Sequence, residues 1–96
     1  MSESRKTYLA QFRDRIATWN SRLQELEQKA NRAEGTGKKR LVRDIAELRA
    51  KRNSLRRRVA ALEVASVGAW EQMKGGAREA LHKVERASAR MESHTD

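Results

Sequence analysis

Cysteine and proline are both absent from the 96-residue sequence. Without cysteine there is no disulfide framework, no thiolate zinc site and no thiol nucleophile. Aromatic residues are scarce, with one Tyr, one Phe and two Trp. No apolar run approaches the ~18 residues that span a bilayer. The first fifteen residues, MSESRKTYLAQFRDR, lack the continuous apolar core of a signal peptide. Together these absences predict one small cytoplasmic domain.

What is present is the vocabulary of long helices. Charged residues make up 36% of the chain and hydrophobic residues 38%, and Ala, Leu, Glu, Lys, Arg and Gln dominate. Apolar or small residues fall at Leu9, Phe12, Ile16, Trp19, Leu23, Leu26, Ala30 and Ala33. The steps of three and four are those of a heptad seam. The seam resumes at Leu41, Ile45 and Leu48, is broken by Arg52, and continues through Leu55, Val59 and Leu62. An arginine in a seam is costly unless its head reaches water or a carboxylate. Beyond Leu62 the period lengthens to an 11-residue repeat through Ser66, Trp70, Met73, Ala77, Leu81 and Val84, continuing to Ser88 and Met91. Two packing regimes therefore meet near residue 64, which points to different partners for the two stretches.

The strongest breaker is Gly35-Thr36-Gly37. Gly35 suits the left-handed position that follows a helix, and Thr36 suits a cap for the next one. The reading is all-α: residues 1–96 form one antiparallel helical hairpin, with a short helix over about 4–34, a turn at 35–37 and a long helix over about 38–92. A single continuous rod stays open, because a four-residue stutter would carry the seam across the glycines. At ~1.5 Å per residue the two helices measure about 45 and 80 Å, so the first covers the second only to about residue 67. The overhang would expose Trp70, Met73, Ala77, Leu81, Val84 and Met91, and a bare apolar seam is unfavourable in water. A second copy of the chain is the simplest cover. The expectation is a coiled-coil or helix-bundle homo-oligomer, most simply a dimer, with those six residues as its interface.

Charge is concentrated in the middle of the chain. The formal net charge is +9. Residues 35–63 hold ten basic and three acidic groups, whereas residues 64–96 hold five of each. In a hairpin turning near residue 36, position i lies near 72 − i. Arg13 and Arg15 then come level with Arg56, Arg57 and Arg58, and like charges so gathered repel unless an anion or acidic face meets them. Lys38, Lys39 and Arg40 open the second helix, where positive charge opposes the macrodipole but helps hold an anion. These eight residues are the candidate anion-binding set, with nucleic acid or an acidic protein as partner. No aromatic interleaves the basic run, so contact would be with phosphate and carry little sequence readout.

Other motifs carry less. Gly35-Thr36-Gly37-Lys38 resembles the end of a phosphate-binding P-loop, but Arg32 and Lys39 stand where that motif needs Gly and Ser or Thr. Glu79-x-x-His82 has the spacing of di-iron bundles, yet His82 lies beside the seam. His94 reads as a solvated residue near the end of the sequence. Gly68, Gly75 and Gly76 weaken a helix by about 2–3 kcal/mol in total, and imply either close packing or a hinge. The face built on Trp70, Met73, Leu81 and Val84, with Lys74, Arg78, Lys83 and Arg86 off it, also suits a membrane surface; the even charge of that block makes this the weaker option. No nucleophile–base pair, pocket carboxylate pair or cofactor loop stands out, so no catalytic residue, metal or cofactor is expected.

Tyr8, Trp19, Leu23, Leu26 and Lys29-Ala30, then Ile45, Leu48, Lys51-Arg52, Leu55, Leu62 and Ala65-Ser66, then Ala69-Trp70-Glu71 and Lys74-Gly75, form a pattern that resembles small bacterial two-helix coiled-coil proteins of the stress-response type. The resemblance covers most of the chain and rests chiefly on Ala-Trp-Glu-x-x-Lys-x-Gly at residues 69–76. It implies a non-enzymatic, stress-related structural or interaction protein with no catalytic residues to assign.

Overall fold

A computed structural model describes residues 4–94, and side chains as far as Met91. Three helices follow one another: α1 (Arg5–Arg32), α2 (Gly35–Glu63) and α3 (Val67–His94). They run up, down and up in a bundle measuring 51 × 20 × 17 Å. The fold is all-helical, as expected, but the hairpin is corrected. The long second helix is two helices, and its distal half folds back along its own chain.

α1 starts where Ser4 caps it, its hydroxyl accepting the Thr7 amide at 3.2 Å. It stops at the glycine-bearing reversal, two residues before the expected turn. Ala33 and Glu34 are extended, and Gly35, with φ +65°, is the only left-handed residue described. That conformation favours the residue without a Cβ. Thr36 and Gly37 lie in the first turn of α2 and do not cap it.

The second reversal uses neither glycine nor proline. Val64, Ala65 and Ser66 leave the helix, and the Ser66 hydroxyl accepts the Ala69 amide at 3.3 Å to start α3. Val64 and Val67 are 86% and 83% exposed at the tip. The shift of period near residue 64 thus coincides with a change of chain direction.

Arg5 locks this turn from the other end of the chain. Its guanidinium donates to the carbonyl of Leu62, which also accepts the Ala65 amide, and to the carbonyl of Ala65 just beyond α2. The same group sits 4.6 Å from the centre of the Trp70 ring. Tyr8 meets Trp70 edge-on at 5.4 Å, and its hydroxyl donates to the Lys74 carbonyl at 3.0 Å.

The core follows the seams. Tyr8, Leu9, Phe12, Leu23, Leu26 and Ala30 of α1 meet Leu41, Ile45, Leu48, Leu55, Val59 and Leu62 of α2. α3 adds Ala77, Ala80, Val84, Ala87 and Met91. Arg52 interrupts the α2 seam half-buried, and it finds amide oxygens rather than a carboxylate: Asn20 Oδ1 at 2.7 Å and Asn53 Oδ1 at 2.8 Å. Burial, then the adjacent Arg56 and Arg49, lower its pKa, while Glu27 opposes that shift. α2 packs closely against both neighbours, whereas α1 and α3 approach each other less closely. No helix among the described residues is long and apolar enough to cross a membrane.

Candidate anion-binding face

α2 lies against both other helices with its leucine-rich side, so its opposite side faces water. Lys38, Lys39, Arg40, Arg56, Arg57 and Arg58 are all exposed there or on its flanks. Lys38 to Arg40 stand at the start of α2, whose first turn carries no acid. The partial positive charge of that terminus adds to theirs.

The two remaining candidates behave differently. The inferred register is close to that observed, since Arg52 meets Asn20 across α1 and α2. Yet Arg13 turns to Glu63 at 3.1 Å and Arg15 to Glu85 of α3 at 3.1 Å. The expected gathering of five guanidinium groups is therefore divided. Arg13 and Arg15 are neutralised by acids, and Arg56 to Arg58 are not.

Ion pairing elsewhere leaves the same imbalance. Arg49 pairs with Glu27, and Arg90 of α3 takes Glu47. Glu63 is held by Arg13. Asp44, the third acid of α2, is half-buried. Among the described residues, Lys38, Lys39, Arg40, Arg43, Lys51, Arg56, Arg57 and Arg58 form no ion pair, although they sit on one helix. Exposed pairs contribute only ~0–1 kcal/mol each, so the pairs matter here for the charges they cancel.

Arg58 is held across α3. A Cβ on Gly76 would come within 2.9 Å of its guanidinium nitrogen, so the absent side chain makes room for the arginine. Beside it runs an open groove of about 350 Å³ between α2 and α3, lined by Lys51, Ser54, Arg58, Glu79 and Lys83. Arg57 lines its continuation toward Met73. Nothing within 4 Å crowds Gly68 or Gly75, and α3 runs unbroken through Gly75-Gly76. The hinge option is not used in this structure.

The expected oligomer contacts are found inside the single chain. Ala77, Val84 and Met91 are buried in the bundle, and Trp70, Met73 and Leu81 pack against it half-buried. Four of them, Trp70, Met73, Leu81 and Val84, formed the face considered for membranes; Val84 is buried and the other three are half-buried. Glu79 and His82 part company: Glu79 lines the α2–α3 groove, and His82 lines a groove of about 460 Å³ between α1 and α3. Among the described residues no group of three His, Cys, Asp or Glu gathers as a metal site would require. The side chain of His94 lies outside the described residues.

One signal escaped the sequence reading. The runs Lys38-Lys39-Arg40 and Arg56-Arg57-Arg58 stand eighteen residues apart, which at ~3.6 residues per turn is about five whole turns. They therefore emerge from α2 in the same directions. No family model, curated protein or solved structure matches the chain. The likeness to small coiled-coil proteins rests on its residues alone.

Proposed function

We propose that this chain is a non-enzymatic binding protein that holds a polyanion along α2 through charge, without reading sequence. The carrying observation is the set of α2 cations that no acid among the described residues neutralises. Such an array favours a phosphate- or sulfate-bearing polymer, because each contact releases a condensed counterion. The mixed-charge exterior of α3 supplies the contrast.

The test is binding of heparin and of mixed-sequence nucleic acid across a salt series. Expected is micromolar or tighter binding at about 50 mM salt that weakens steeply by about 200 mM. No detectable affinity at the lower salt would remove the reading.

A second reading, an interaction protein that associates with its own kind, keeps one support. Ile16, Trp19 and Leu81 stay half-buried where α1 and α3 part. Light scattering checks it: a lasting 11.0-kDa species at all concentrations would count against self-association. A stress-related role belongs with either reading and is tested by expression under stress.

A further inference from the structure

Resting on that reading of α2 as the polyanion site, we infer that its substrate class is duplex nucleic acid, held by two cationic clamps at a fixed separation. The clamps are Lys38-Lys39-Arg40 and Arg56-Arg57-Arg58. An eighteen-residue offset on a helix rising ~1.5 Å per residue sets them about 27 Å apart, in matching orientation. α2 is unbroken from Gly35 to Glu63 and is braced on two sides by α1 and α3, so this distance is rigid.

A rigid pair of clamps suits a rigid array of phosphates. The separation exceeds the major-groove width of B-form DNA, about 12 Å, and falls short of one turn, about 34 Å. The clamps can therefore rest on the two phosphate ridges bordering one major groove crossed obliquely. Midway between the clamps the outer side of α2 presents Ala46 and Ala50, both small and exposed, with the exposed Arg43 standing next to the first clamp. The alanines offer no hydrogen bond to base edges, so the middle of the contact reads no sequence.

The aromatics exclude the other common mode. Single-strand binders stack bases on exposed rings. Here Tyr8 and Phe12 are buried, Trp19 and Trp70 pack against the core, and none belongs to α2. A flexible single strand would gain neither stacking nor any benefit from the fixed spacing.

The experiment uses the full chain and DNA hairpins with stems of 6 and 14 base pairs, about 20 and 48 Å long at ~3.4 Å per pair. A 14-nucleotide single strand and heparin are further ligands. Binding is read by fluorescence anisotropy over a salt series. The longer stem should bind at least tenfold more tightly than the shorter, after correction for the number of overlapping sites, and more tightly than the single strand. Its log–log salt slope should be about −5, as six phosphate contacts require. Replacing either triplet by Gln (K38Q/K39Q/R40Q or R56Q/R57Q/R58Q) should lower the magnitude of that slope by about 3. These positions are exposed, and circular dichroism confirms that each variant folds. Equal affinity for the two stems after correction, or for the longer stem and the single strand, would overturn the duplex clamp and leave the polyanion reading standing. Absence of binding to every ligand, heparin included, would overturn both.

Discussion

α2 and α3 are nearly equal in length and differ in almost everything else. α2 fills the core with Leu41, Ile45, Leu48, Leu55 and Leu62, while α3 fills it with Ala77, Ala80 and Ala87 around Val84 and Met91. Outside, most α2 cations lack acids. On α3, Lys74, Lys83 and Arg90 each face one, at Glu71, Glu79 and Glu47. The central helix combines a leucine-rich interior with the most positively charged exterior. The contrast teaches that packing and charge can be allotted to opposite sides of one helix, leaving α3 to close the bundle largely with small residues.

The largest expected effect attacks the interior half of this contrast. Leu55 is fully buried, so Leu55→Ala should destabilise the fold by about 2–5 kcal/mol. The reverse change on α3, Ala77→Leu at an equally buried position, should cost about 1–3 kcal/mol through overpacking. Urea denaturation measures both, and a harmless Ala77→Leu would show that α3 does not sit as closely as described. Ser66→Ala removes the hydroxyl that caps α3 and should cost ~1 kcal/mol by the same measurement. The smallest effects concern the glycines of α3. Gly75→Ala meets open space and should gain up to ~1 kcal/mol of helix propensity. Gly76→Ala should gain less, because Arg58 must first swing aside. If the two gains are equal, Arg58 does not rest on that glycine in solution. On the exterior, Arg86→Gln on α3 should leave the salt slope of polyanion binding unchanged, whereas Arg57→Gln on α2 should reduce it by about 1.

Much of this architecture was legible in the residues. The α1 seam from Leu9 through Ala30 and the α2 seam from Leu41 through Leu62 lie in or against the core, because a heptad pattern leaves one face to bury. The first reversal was visible through Gly35, whose positive φ few other residues adopt readily. The second was missed because Val64, Ala65 and Ser66 include no residue that forbids a helix. Only the capping serine and the lengthened period announced it, and the period also fitted a change of partner. That omission left Trp70, Ala77 and Val84 without a partner in their own chain, where Ala77 and Val84 enter the core and Trp70 packs against it. The candidate cations were legible by charge alone. Which of them are cancelled was not, because Glu85 reaches Arg15 only once α3 has folded back.

The hold of Arg5 on the second turn has a consequence for the order of events at birth. α1 leaves the ribosome first, so a donor is already waiting when the Leu62 and Ala65 carbonyls emerge 57 and 60 positions later. Removing that one guanidinium should speed amide hydrogen exchange at Ala65 and in the first turns of α3 while sparing the middle of α2. A substitution at one extremity of the chain would then be felt as loosening of a bend that local sequence alone does little to secure.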